Sequence, residues 1–283
     1  MLWIKQLIIF LFILLSCSLF SQTTTGYEYQ REYLAKFDVY TIDDGLSSSR
    51  ILDIFQDRYG YLWIGTENGL NRFDGYNFLS FFHIDKDSTS LSDNHVTSVT
   101  SDAFGNLWIG TMDGLNRYNR SDESFMVLKH DEFDENSLSN DYIRALFADS
   151  AGNLWIETVD GVLNKYDISA NNFTHYIHNK IKQPYYEYHD IYQDKKGDLW
   201  IGGRTMGPYR FDMNTGNFQW YQADPDNPNK KRDNDAAAYL EDSRGTFWIS
   251  GIDGIYQFNR ENEAFRKFFG TSTFDILEDK NGH

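Results

Sequence analysis

Tryptophan recurs at almost equal intervals along this chain, at Trp63, Trp108, Trp155, Trp200 and Trp248, with spacings of 45, 47, 45 and 48 residues. Each stands in a version of one phrase. The first two read DRYGYLWIGTENGLNRFD from Asp57 and DAFGNLWIGTMDGLNRYN from Asp102. Looser versions start at Asp149, Asp194 and Asp242. A period in the forties with one large apolar residue per unit points to a repeat architecture, most often a β-propeller, in which each unit buries its apolar faces against its neighbours. A ring-shaped scaffold is therefore expected ahead of a single catalytic centre.

Each unit reads as four short antiparallel strands. In the first unit these are Ile51–Asp57, the Leu-Trp-Ile stretch, Gly-Leu-Asn-Arg-Phe from Gly69, and the aromatic run from Phe78. Short runs rich in aromatic and β-branched residues, bounded by turn signals, suit a meander. The Asp-x-x-Gly step recurs at Asp57/Gly60, Asp102/Gly105, Asp149/Gly152, Asp194/Gly197 and Asp242/Gly245. Asp bonds its own backbone two residues on, and Gly supplies the positive φ of a tight hairpin. A second Gly follows the Trp by six residues in four units, and by seven in the fourth (Gly207). No 3.6-residue periodicity is sustained beyond the N-terminal segment. The tryptophans sit inside Leu-Trp-Ile runs rather than at loop tips, so they read as packing between blades and not as a ring of sugar-stacking aromatics.

Residues 1–21 have a positive start, a short apolar core from Leu7 to Leu15 and small residues before Gln22. That is the pattern of a secretory signal peptide, its core shorter than a membrane span needs. Cleavage is expected after Ser21, with a lipid-modified Cys17 as the alternative. Cys17 is the only cysteine, so disulfides contribute nothing to the mature chain. Residues 22–36 read as a linker, and 37–283 as a partial propeller. The net charge of −16, without a basic patch, argues against nucleic acid or an anionic membrane as partner. Lys36–Tyr40 matches a fourth strand, and Phe274–Gly282 a first strand with its turn. The expected fold is thus all-β: five complete four-stranded blades plus two orphan strands, an incomplete ring, as in the front part of a longer protein.

The phrase DxxGxLWIGTxxGLxRYD, preceded by Gly45-Leu-Ser47, Ser90-Leu-Ser92 or Ser137-Leu-Ser139, resembles the two-component regulator propeller repeat. The resemblance spans about 37–283. Glu157 and Ser250 depart from it at the Gly after Trp-Ile, as does Met206-Gly-Pro208 in the fourth unit. It implies the periplasmic sensor region of a hybrid histidine kinase that senses oligosaccharides and signals through a phosphorelay. It also implies partners in a downstream propeller and kinase of the same parent, in the inner membrane, and a homodimer of that parent. No phosphoacceptor-His context, ATP box or receiver Asp is found, so no kinase residue carries over and the chain itself is expected to be non-catalytic.

One geometric argument places a ligand site. Thirteen residues before each Trp stand Arg50, His95, Tyr142, Glu187 and Asp235, where the chain enters the innermost strand at the mouth of the central channel. The loops joining second and third strands lie on the same face and carry Glu67, Asp113, Asp160, Arg204 and Asp253. Converging polar and aromatic groups suit a soluble ligand such as a small oligosaccharide, although each residue alone also reads as a solvated loop position. No cofactor or metal is expected. His95 has no second His or Cys at ligand spacing, and Asp85 and Asp87 lack the Gly and Glu of a calcium loop. The stretch 224–232 reads as a turn-rich excursion. Two other function classes stay open: a propeller lyase using His95 with Glu67 or Asp113, and a non-catalytic adhesion or scaffold module.

Overall fold

The computed structural model describes residues 38–177, 189–203, 207–221 and 236–282. They form five four-stranded antiparallel sheets, each a meander of consecutive strands. Blade 1 is β1 (Ile51–Gln56), β2 (Leu62–Thr66), β3 (Gly69–Phe73) and β4 (Phe78–Phe81). Blade 2 is β5 (Val96–Ser101), β6 (Leu107–Thr111), β7 (Gly114–Asn119) and β8 (Ser124–Leu128). Blade 3 is β9 (Ile143–Ala148), β10 (Leu154–Thr158), β11 (Val162–Asp167) and β12 (Asn172–Ile177). Blade 4 is β13 (His189–Gln193), β14 (Leu199–Gly203), β15 (Tyr209–Asp212) and β16 (Asn217–Trp220). Blade 5 is β17 (Ala238–Glu241), β18 (Phe247–Gly251), β19 (Gly254–Asn259) and β20 (Ala264–Phe269). The first strands of successive blades lie beside one another, so β1, β5, β9, β13 and β17 surround the axis. Among the described residues the one helical element is the single 3₁₀ turn Ile42–Asp44.

The Asp of each Asp-x-x-Gly step does two jobs. In blade 1, Asp57 Oδ1 accepts the N–H groups of Tyr59 and Tyr61, and Oδ2 accepts the Trp63 indole N–H at 2.9 Å. The indole bond recurs at Trp108, Trp155, Trp200 and Trp248, at 2.8–3.0 Å. The Gly closing each of these turns has φ between 82° and 92°, which side-chain-bearing residues rarely adopt. With its one polar atom satisfied, each indole can be buried between blades without a desolvation penalty.

Trp63 packs on Tyr118 of blade 2, Trp108 on Tyr166 of blade 3, Trp155 on Phe211 of blade 4 and Trp200 on Phe258 of blade 5, with centroids 4.9–5.5 Å apart. These four are 0–1% exposed. Trp248 departs from the expectation of burial between blades. It is only part-buried and lies against the exposed Phe268, because no following blade supplies the receiving ring among the described residues.

Inner strands share no backbone ladder, so side chains bridge them. Asp53 Oδ2 accepts the N–H of Val99 at 2.7 Å, Ser98 Oγ that of Leu146 at 3.2 Å, and Asp190 Oδ2 that of Tyr239 at 3.3 Å. The Gly two residues after Trp lets the next inner strand come close. A Cβ on Gly110 would stand 2.6 Å from Ile143 Cγ2.

The orphan strands need a correction. Neither 38–40 nor 274–279 is a strand, since neither finds a ladder partner. Each nevertheless docks where a blade element belongs. The Tyr40 ring lies 4.9 Å from Phe73, the aromatic whose counterparts in blades 2–5 receive a preceding Trp. Glu278 accepts the Ser243 N–H at 2.7 Å, just as Glu241 of blade 5 accepts Lys195 N–H and Gln193 of blade 4 accepts Ser150 N–H. The fourth-unit turn 204–206 and the excursion at 224–232 lie outside the described residues, as do 1–37.

The Leu-Ser tag before each of the first three blades is structural. Leu46, Leu91 and Leu138 are buried. Asn116 Oδ1 accepts the Ser92 N–H at 2.9 Å, its amide donates to Ser92 Oγ at 2.8 Å, and Ser92 Oγ lies 2.8 Å from Thr111 Oγ1. Asn71 and Asn164 accept the N–H groups of Ser47 and Ser139 in the same way; the Asn71 amide also donates to Ser47 Oγ, and that of Asn164 to Thr158 Oγ1. Asn116→Ala should strand buried groups of Ser92 and cost about 1–3 kcal/mol. Urea unfolding checks this, with an exposed Asn119→Ala control staying near the parent.

Candidate functional site

Arg50, His95 and Tyr142 occupy one end of neighbouring inner strands. Their carbonyls accept the N–H groups of Glu67 (3.2 Å), Met112 (3.3 Å) and Val159 (2.9 Å), from the loops between second and third strands. The described members of the two sets of candidates therefore share a face. Turns aim each one: Ser48 Oγ, Asp93 Oδ1 and Asn140 Oδ1 accept the N–H of the residue two positions on, namely Arg50, His95 and Tyr142. Gly69 N–H donates to Asn94 O and Gly114 N–H to Asp141 O, tying each loop to the next blade's mouth.

The loop carboxylates are engaged. Arg50 Nη1 pairs with Glu67 Oε1 at 2.6 Å, Asp113 with Lys129 Nζ at 2.6 Å, and Asp160 Oδ1 accepts the Thr158 hydroxyl at 2.7 Å. Asp253 sits in the corresponding loop of blade 5, partly buried. His95 makes no side-chain hydrogen bond to Glu67 or Asp113, so the lyase pairing is not assembled among the described residues. Nor does any group of three His, Cys, Asp or Glu side chains among them come together to hold a metal. Glu187, Asp235 and Arg204 lie outside the described residues.

Below the mouth the axis is acidic at one register. Asp53 and Asp190 occupy equivalent places in β1 and β13, and Asp275 the same place in the segment after blade 5. Burial pushes the Asp190 carboxyl up to about 7, and the charges of Asp275 and Asp53 add to this against the Tyr239 N–H it accepts. Burial likewise raises the Tyr239 hydroxyl well above its ordinary value.

Sequence reasoning missed Arg144 in β9, which is 8% exposed and whose Nη1 has no hydrogen-bond partner. The available signal was a charged residue inside an otherwise apolar first strand, Ile-Arg-Ala-Leu-Phe. On the opposite face, a cavity of about 410 Å³ opens at the Asp-x-x-Gly turns of blades 1 and 2, lined in part by Arg58, Tyr59, Phe104 and Arg120. Arg120 is held there by Asp57 at 2.8 Å. The turn aspartates are committed to geometry as expected, while the residues between Asp and Gly face outward.

Among the described residues no helix is long and apolar enough to cross a membrane. The two-component regulator propeller repeat matches residues 45–68, 90–113, 137–158 and 182–205. A 54-residue stretch, 19% of the chain, is 50% identical to Histidine kinase P4 of Formosa agariphila and covers 4% of that protein. The extracellular domain of a hybrid two-component system from B. thetaiotaomicron superposes with a TM-score of 0.71 at 27% identity, over 83% of this chain and 32% of that one. The chain thus spans under a third of the length of these relatives. A virginiamycin B lyase from Staphylococcus aureus superposes with a TM-score of 0.62 at 14% identity, over 84% of this chain and 75% of the lyase, and shares the fold alone. The two-component regulator propeller repeat thus recurs in four of the five blades of this chain.

Proposed function

We propose that this chain is an extracytoplasmic ligand-sensing propeller that feeds a two-component phosphorelay, and that its ligand is an oligosaccharide seated over Arg50, His95 and Tyr142. The observation that carries the reading is the aligned mouth: three inner strands present Arg, His and Tyr at equivalent positions, ringed by polar loops. The 27% identical relative being the extracellular domain of a two-component system supports the location and the output. A leader at 1–21 and a kinase in the same parent belong to this proposal. Tyr142 offers a stacking face for a sugar ring, and Arg50, part-exposed beside Glu67, offers donors to hydroxyls.

The test is ligand binding to the sensor region with Arg50→Ala and Tyr142→Ala. Loss of a hydrogen bond to a charged group is expected to weaken binding about ten- to a hundredfold. Unchanged affinity in both folded variants would place the site elsewhere.

A further inference from the structure

Directly beneath the mouth, two buried polar groups stand without partners. Arg144 Nη1 and Thr97 Oγ1 make no hydrogen bond. Among the described residues no carboxylate pairs with Arg144, although the chain carries 42 acidic residues against 26 Lys and Arg. Glu157, across the ladder from Ala145, is buried and has a partner of its own.

The two groups share one register. In β5 the ladder skips between Val96 and Ser98, leaving Thr97 as the extra residue. In β9 it skips between Ile143 and Ala145, leaving Arg144. Packing shows where the extra side chain goes. Ile143 lies over Gly110 of blade 2, and Leu146 clusters with Trp108 of that blade. Ala145 clusters with Trp155 and Ile191 on the side of blade 4. The two flanks of β9 are thus filled by its other residues, and the bulge turns Arg144 toward the open inner edge, at the axis. Thr97 occupies the equivalent bulge position on β5, which lies beside β9, and its Oγ1 sits next to Gly110 where Ile143 packs, 3.2 Å from where a Cβ on that glycine would stand.

A buried guanidinium needs an anion, and its planar fork matches the two oxygens of a carboxylate or sulfate. We propose that Arg144 and Thr97 form an oxyanion subsite beneath the mouth. It would take the carboxylate of a uronic sugar or the sulfate ester of a sulfated sugar. This rests on the reading of the mouth as the ligand site and adds the ligand's charge to it. Arg144 donates two N–H groups to the oxyanion, and Thr97 donates its hydroxyl.

The test is calorimetric titration of the 283-residue chain with galacturonate, galactose 6-sulfate and galactose at equal ionic strength. One or both anionic sugars should bind at least about tenfold more tightly than galactose, and which of them does so separates carboxylate from sulfate. Arg144→Met should abolish that preference while leaving galactose affinity and the melting temperature no lower than in the parent. Arg144→Lys should restore part of the preference, and Thr97→Val should weaken it severalfold. An undiminished preference in Arg144→Met, or no preference in the parent chain, would overturn the subsite. Galactose binding lost in Arg50→Ala but indifferent to charge would overturn the subsite and leave the mouth standing. Failure of all three sugars to bind would count against both.

Discussion

Replacing Trp108 by alanine is expected to destabilise the chain by about 3–5 kcal/mol, while Trp248→Ala should cost clearly less. Trp108 is fully buried, bonds Asp102 at 2.9 Å and packs on Tyr166 of the next blade, so its loss opens a cavity in the seam between blades 2 and 3. It also leaves the Asp102 Oδ2 without its indole donor. Trp248 makes the same indole bond to Asp242, yet it is part-buried and faces an exposed Phe268, so fewer contacts are lost. Urea unfolding of the two variants checks this. Equal losses would mean that stability follows the bond to Asp, common to both, rather than packing between blades. Because each blade leans mainly on its neighbours, Trp108→Ala should also speed hydrogen exchange most in blades 2 and 3.

Raising the pH from about 4 to about 7 is expected to lower the stability of the folded chain, because it forces a charge onto the buried Asp190 between blades 4 and 5. Asp190 carries a folded-state pKa of about 7 against an ordinary value of 3.8. Over that window the folded chain holds a proton that the unfolded chain has released. The stabilisation is therefore complete below the unfolded value, and it is lost as pH climbs through the folded one. At about 1.4 kcal/mol per unit, this group contributes on the order of a few kcal/mol across the window. Asp190→Asn keeps an acceptor for the Tyr239 N–H and cannot ionise. It should flatten the dependence and exceed the parent in stability at pH 8. Thermal melts from pH 4.5 to 8 provide the measurement, and identical slopes in parent and variant would refute the assignment. The difference between the two chains matters here, because carboxyls held low by turn hydrogen bonds, such as Asp74, Asp87 and Asp167, act in the opposite sense at lower pH.

The blade was legible because its determinants are local. The Asp-x-x-Gly turn, the Leu-Trp-Ile strand and the period of the repeat are set by residues a few positions apart, and they recur five times. Strand limits in blade 1 agree with the reading to within two residues. The shared face of Arg50, His95 and Tyr142 with the second–third loops also followed from spacing, because equivalent positions in a repeat must fall at equivalent heights. Other features were decided only when blades met. The indole bond to Asp links residues six apart, yet whether a Trp is buried depends on a ring contributed some 55 residues later, which Trp248 lacks. The Leu-Ser tag looked like a family marker and proves to be a latch on Asn71, Asn116 and Asn164, between residues about 24 apart. Arg144 was passed over although its charge inside an apolar first strand was legible. A charge in a strand pattern reads as solvent-facing until the bulge and both flanking blades show it buried at the axis. The repeat by itself determined what each blade is, since its turns and strands are short-range. Only the tertiary structure decided which side chains the seams and the axis bury, because that depends on how neighbouring inner strands approach one another.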